Sequence, residues 1–280
     1  MIYFIGAGPG NVDLITVKGR SILEKADVVI YAGSLVSPEH LRFCKNGVKI
    51  YNSASMTLEE VISVMKEASE NNLETVRLHT GDPSIYGAIK EQMDELIKLN
   101  IEYEVVPGVS SFVAAAASIK REFTLPSVSQ TVILTRVEGR TKVPEKEDLE
   151  KLASIGASMA LFLSISMIDK VVAKLRKGYG RNVPIAVIER ATWQDERVIF
   201  GTLDDISEKV KEAGIKKCAQ ILVGDFIDCD YEKSLLYDKL DFLILVSKLE
   251  GLFSTSDFMV FRRTVFKSID LLAKIERSMS

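Results

Sequence analysis

Three short runs of small, turn-forming residues are where this sequence can do chemistry. They are Gly6-Ala7-Gly8-Pro9-Gly10, His79-Thr80-Gly81-Asp82-Pro83-Ser84-Ile85-Tyr86-Gly87 and Val106-Pro107-Gly108-Val109-Ser110-Ser111. Each follows an apolar run that reads as a β-strand. Glycine lets backbone approach a ligand with no Cβ in the way. Ligands of open α/β sheets bind beyond the carboxyl ends of the strands. Three such loops therefore predict one shared crevice, with backbone N–H and C=O groups turned toward a polar ligand. The first loop departs from the dinucleotide fingerprint: it is GxGxG with a proline inside. Val28–Tyr31 is followed by Ala32-Gly33-Ser34, not by an acid, which counts against a nicotinamide cofactor. Asp82 caps the next helix, accepts a hydrogen bond from the ligand, or fixes the loop. His79, the one histidine near these runs in the sequence, fits a buried, hydrogen-bonded residue better than a catalytic base.

The elements that must position these loops follow from periodicity. Strands are expected at 2–5, Val28–Tyr31, 49–51, Thr75–His79 and Tyr103–Val106. Helices are expected at 17–25, 58–68 and 85–99; Leu58, Val61, Ile62, Met65 and Ala68 fall on one helical face. The alternation predicts a mostly parallel sheet with helices on both faces. The small-residue stretch from Ser110 to Ala117 reads as a helix that closes a first domain, 1–112. A second α/β domain, 113–238, carries strands at 131–135, 159–163, 185–188, 198–200 and 220–223 in a more mixed pattern. A helix is expected to start near Asp204, and 137–144 is an exposed irregular loop.

Bulk properties narrow the function class. A chain of 280 residues with 47% hydrophobic and 27% charged residues has ordinary globular composition. A formal net charge of −3 gives no global field for nucleic acid, so any anionic ligand needs a local positive surface. The start carries no signal-peptide pattern, and no apolar run reaches the ~18 residues of a bilayer span. Cys44, Cys218 and Cys229 form no CxxC and read as reduced, buried residues. A cytoplasmic enzyme with no protein-borne metal site is expected.

Together the loops resemble the tetrapyrrole methyltransferase family, over about 1–238. Longer strings resemble its branch that methylates carbon 11 of precorrin-4 or cobalt-precorrin-4 in anaerobic cobalamin synthesis. These include Tyr31-Ala32-Gly33-Ser34-Leu35-Val36, Pro107-Gly108-Val109-Ser110-Ser111-Phe112, Ser129-Gln130-Thr131-Val132-Ile133-Leu134-Thr135-Arg136 and Gly139-Arg140-Thr141. The resemblance implies two α/β domains flanking a cleft, S-adenosylmethionine as methyl donor, S-adenosylhomocysteine as product, and a homodimer. Carried over by motif, the cofactor contacts fall on Pro9, Thr80, Gly81, Asp82, Ile85, Ser110, Ser111, Ser164 and Ala191. Asn11 stands where the family's glycine loop ends in aspartate; it keeps hydrogen-bonding reach without the charge and so shapes a turn. After Leu236-Tyr237-Asp238 the chain diverges from the family, and 239–280 reads as a tail. Within it 263–277 is either an amphipathic helix or part of a disordered end.

A sulfonium methyl is already activated, and the acceptor is an electron-rich ring carbon. Alignment should then supply most of the acceleration, roughly 7–11 kcal/mol for well-held reactants, so no catalytic triad is expected. The substrate's acetates and propionates call for Arg and Lys. Arg136, Arg140 and Lys142 in the polar loop, with Arg190, are the candidates, and Arg121 is a weaker one. Ser34, Tyr86 and Tyr31 touch the substrate or line its floor, with core packing an equal alternative for the two tyrosines. Trp193 either covers the cofactor or packs. Two rival readings are another acceptor on the same fold and a catalytically silent donor-binding module.

Overall fold

The computed structural model describes residues 1–33, 35–139 and 141–234. Ser34, Arg140 and the tail at 239–280 lie outside the described residues. Residues Met1–Asp230 form one compact unit.

Its first sheet contains β1 (Ile2–Gly6), β2 (Val28–Tyr31), β3 (Lys49–Asn52), β4 (Thr75–His79) and β5 (Tyr103–Val106), in the order β3-β2-β4-β1-β5. Every pairing in it is parallel. Both faces are covered, as a parallel sheet requires. Ile2, Phe4, Val28 and Ile30 pack on α2 (Leu58–Glu70) and α3 (Ile89–Lys98), while Ile5, Val29, Val76 and Leu78 pack on the other face beside α1 (Val17–Leu23). The period-2 alternation of a strand puts neighbours such as Phe4 and Ile5 into different cores.

Helix α2 starts where its sequence says it must. Thr57 accepts from the Glu60 N–H, and the Glu60 carboxylate accepts from the Thr57 N–H, a complete capping box. Helix α3 starts later than its periodicity predicts, at Ile89. Tyr86 and Ala88 sit at φ 55° and 49°, in the left-handed region that helices exclude. Residues 85–88 thus stay in the loop, and Tyr86 is free of the helix.

The second sheet has β6 (Val132–Thr135), β7 (Ser158–Leu161), β8 (Pro184–Glu189), β9 (Arg197–Thr202) and β10 (Ala219–Val223), in the order β6-β7-β10-β8-β9. Only β6 and β7 run parallel; the other three pairings are antiparallel. Helix α4 (Ser111–Ser118) packs on one face through Ala114 and Ala115. The other face carries α5 (Leu149–Ala153), α6 (Ile168–Tyr179) and α7 (Ile206–Glu212). Two of these, α5 and α6, have no counterpart in the elements read from sequence, although Ile168, Val171, Val172 and Leu175 hold clear helical spacing and are buried. The cysteine expectation needs correction. Cys218 and Cys229 are exposed, outside both sheets' cores, and Cys44 is half-buried at the rim of the first sheet's core.

Candidate functional site

The three glycine-bearing loops meet at the carboxyl ends of β1, β4 and β5. Gly8 and Gly81 exchange two backbone hydrogen bonds, Gly8 N–H to Gly81 O at 3.2 Å and Gly81 N–H to Gly8 O at 2.8 Å. The Ala7 N–H donates to His79 O at 2.7 Å. The contact between Gly6, Gly81 and Gly108 is closer still. A Cβ on Gly6 would lie 2.5 Å from Gly81 O and 2.6 Å from the Gly108 Cα; a Cβ on Gly108 would lie 2.3 Å from Gly81 O. Glycine is required here by backbone touching backbone.

Asp82 staples the second and third loops. One carboxylate oxygen accepts from the Ser84 N–H at 2.8 Å and the other from the Gly108 N–H at 2.8 Å. It is a loop-shaping group and does not cap α3. Asn11 also shapes a turn: its Oδ1 accepts from the Asp13 N–H at 2.9 Å.

A histidine that sequence order did not bring near the loops supports them from beneath. His40, 1% exposed, places Nε2 2.9 Å from Ala7 O and Nδ1 3.0 Å from Ser37 O. His79 is buried too, but its Nε2 has no hydrogen-bond partner, against the expectation of a bonded ring. Burial, and then the charge of neighbouring Arg77, push its pKa down to about 3, so the ring is neutral.

These loops form one wall of a cavity of about 510 Å³, within the roughly 300–1,000 Å³ of small-molecule sites. Pro9, Thr80, Gly81, Asp82, Ile85, Ser110 and Ser111 line it. The facing wall comes from the second sheet: Phe162 and Leu163 after β7, Ile188 in β8 with Arg190, Ala191 and Trp193 just beyond it, and 216–220 leading into and starting β10. Helix α4 joins the walls, since the Ser111 hydroxyl donates to Gln220 Oε1 at 2.9 Å while the Gln220 amide donates to Leu161 O.

Of the residues singled out by sequence for the donor, all but Ser164 line this cavity, Ala191 included. Ser164 is fully buried; its hydroxyl donates to Phe162 O at 2.6 Å and accepts from the Val137 N–H at 2.9 Å. It holds the turn that presents Phe162 and Leu163. Among the residues singled out for the substrate, Tyr86 and Arg190 line the cavity, and Arg136 and Lys142 do not. Tyr86 lies against Phe162, ring centroids 5.1 Å apart. Burial raises the Tyr86 pKa, partly offset by the Arg136 charge nearby. Arg136 donates to Val137 O, Thr141 O and Lys142 O, so its guanidinium organises the polar loop.

Sequence reasoning missed Leu35, Phe162, Leu163, Lys216 and Lys217, all on the cavity wall. Leu163 is 66% exposed at φ 52°. Tyr86, Leu163, Arg190 and Cys218 are all cavity-lining residues in the left-handed region. Strained backbone of this kind collects at functional sites. Nothing in a propensity scale marks it.

A sheet pair with three glycine loops facing such a wall defines a class of protein. Residues 1–207 match the family described as Tetrapyrrole (Corrin/Porphyrin) Methylases, and the chain belongs to that family. It is 57% identical over 240 residues to the cobalt-precorrin-4 C(11)-methyltransferase of Methanocaldococcus jannaschii, covering 85% of this chain and 93% of that protein. The X-ray structure of the cobalt precorrin-4 methyltransferase CbiF is similar, with a TM-score of 0.79, 45% identity, and coverage of 81% of this chain and 96% of that one. A uroporphyrin-III C-methyltransferase from Thermus thermophilus, solved complexed with S-adenyl homocysteine, shares the fold. Its TM-score is 0.67 at 24% identity, covering 81% of this chain and 98% of that one.

Proposed function

We propose that this protein transfers the methyl group of S-adenosylmethionine to carbon 11 of precorrin-4 or its cobalt form, giving the corresponding precorrin-5. The carrying observation is the contact of Gly6, Gly81 and Gly108 beside a cavity whose far wall is mostly apolar. That cradle fits the donor: a Cβ on Gly6 or Gly108 would force the loops apart, and Ser110 and Ser111 line the cavity where a ligand with carboxylate, ribose and base would lie. The identity to a curated C(11)-methyltransferase over most of both chains favours carbon 11 over other positions.

S-adenosylmethionine supplies an electrophilic methyl. The residues of the chain bind and orient. Pro9, Thr80 to Asp82, Ile85, Ser110, Ser111 and Ala191 hold the donor, and Ser164 acts through the turn it buttresses. Tyr86 and Arg190 meet the tetrapyrrole, Ser34, Arg140 and Lys142 are assigned to the same substrate group, and Arg136 serves it by ordering the polar loop. Arg190 is the best-placed partner for a substrate carboxylate, since guanidinium binds carboxylate bidentately. No side chain is assigned to proton transfer. The reaction gains from holding carbon, methyl and sulfur in line.

The division into 1–112 and 113–238 is part of this reading, supported by β1 to β5 and β6 to β10 forming separate sheets. So are a homodimer, supported by the family resemblance, and a cytoplasmic site, supported by three unpaired cysteines. The small negative net charge supplies no global field for nucleic acid.

The experiment is incubation with methyl-labelled donor and precorrin-4, followed by mass spectrometry and NMR of the product. Label at carbon 11 is the expected result. Label at another ring carbon moves the protein to a neighbouring activity. Donor binding with no transfer makes it a silent module.

A further inference from the structure

The turn after β8 crosses the cavity and holds the glycine loop of the other sheet. The Trp193 Nε1–H donates to Pro9 O at 2.9 Å, across 184 positions of sequence. The indole also abuts Gly10: a Cβ there would come within 2.2 Å of the Trp193 ring. One residue earlier, Thr192 Oγ1 accepts from the Asn11 N–H at 3.0 Å. The turn that delivers these contacts is strained, with Arg190 at φ 51° and Thr192 at φ 69°. Glu196 holds it, its carboxylate accepting from the Thr192 N–H at 2.6 Å and from the Ser118 hydroxyl at 2.8 Å.

The indole also carries Arg190, whose guanidinium carbon is 4.0 Å from the ring centroid. Arg190 Nε lies 2.8 Å from Asp195 Oδ1 but its N–H points off that line, so the contact is an ion pair without an aligned hydrogen bond. The stack fixes the guanidinium plane while leaving the arginine on the cavity wall.

We infer that Trp193 is a positioning residue: it latches the 190–193 turn onto the Pro9-Gly10 loop, setting the donor-facing shape of that loop and the plane of Arg190 together. This rests on the donor-binding reading above. Pro9 and Arg190 both line the cavity, and among the described residues Trp193 is the only side chain bonded to one and stacked on the other. Donor and substrate sites are thereby tied to one indole.

The full chain contains a single tryptophan, so its emission reports this residue alone. S-adenosylhomocysteine is the probe, followed by fluorescence and by calorimetry. Saturating S-adenosylhomocysteine should shift or quench the wild-type emission. W193F keeps a ring for Arg190 but loses the bond to Pro9, and it should weaken S-adenosylhomocysteine about five- to tenfold, the value of one hydrogen bond. G10A pushes the indole away and should weaken binding by a similar factor. In a W193A background G10A should cost less than about twofold, since the clash is gone. With precorrin-4, W193A should also raise the tetrapyrrole KM above that of W193F. Unchanged affinity in either W193F or G10A overturns the latch, as does simple additivity of G10A and W193A. A wild type that does not bind S-adenosylhomocysteine overturns the functional reading itself, and the latch with it.

Discussion

Asp82 Oδ2 accepts a hydrogen bond from the backbone N–H of Gly108 at 2.8 Å. A carboxylate at the end of one strand thus fixes the loop that leaves another and sets the shape of the cradle between them. Because its second oxygen holds the Ser84 N–H, neither half of the carboxylate is spare.

Asp82→Asn replaces one acceptor by an amide donor and sets it against an N–H. Loss of one charge-assisted bond should lower stability by about 1.5–3 kcal/mol. S-adenosylhomocysteine affinity should fall along with it. Chemical denaturation and calorimetry test this; a variant that binds like wild type would remove Asp82 from the cradle.

Gly108→Ala places a methyl 2.3 Å from Gly81 O, where only backbone can yield. A loss of about 2–3 kcal/mol is expected from overpacking, with donor binding reduced beyond detection. Gly156→Ala is the control: it has φ +72° and open space around it. It should cost about 1 kcal/mol in backbone strain and leave binding alone.

His79 makes stability depend on acid. Its folded pKa is pushed down to about 3, against 6.5 for the free side chain. Above pH 7 the ring is neutral in both folded and unfolded chains and contributes no pH dependence. Below 6.5 the unfolded chain takes up a proton that the folded chain refuses, so stability falls as pH falls toward 3. The expected loss attributable to His79 is about 1.4 kcal/mol between pH 7.5 and 5.5. Urea unfolding of wild type and His79→Leu at both pH values measures it. Equal slopes in the two proteins would contradict it.

Arg136 ties three carbonyls of the polar loop. Arg136→Ala should raise the tetrapyrrole KM about tenfold through loss of roughly 1–1.5 kcal/mol of loop order. The donor KM should stay unchanged. Arg136→Lys should not rescue, because a single ammonium cannot reproduce the planar fork. Steady-state kinetics with each substrate varied in turn separates the two outcomes.

Much of the local design was legible before any coordinates. Val28–Tyr31, Thr75–His79 and Tyr103–Val106 hold the bounds that their apolar runs predict, because strand content is written in residues adjacent in the chain. The three glycine loops could be named for the same reason. The start of α3 could not, since left-handed Tyr86 and Ala88 are imposed by loop geometry against their own preference. Helix α6 is legible in the spacing of Ile168, Val171, Val172 and Leu175.

The order β3-β2-β4-β1-β5 and the antiparallel pairings of the second sheet were decided by tertiary structure alone. So were the arrival of His40 under Ala7 and of Trp193 on Pro9, contacts that span 33 and 184 positions. Short-range pattern sets what each segment is, through propensity and periodicity. Which segments touch is set by burying all four apolar faces at once, a condition on the whole chain that no single window of sequence contains.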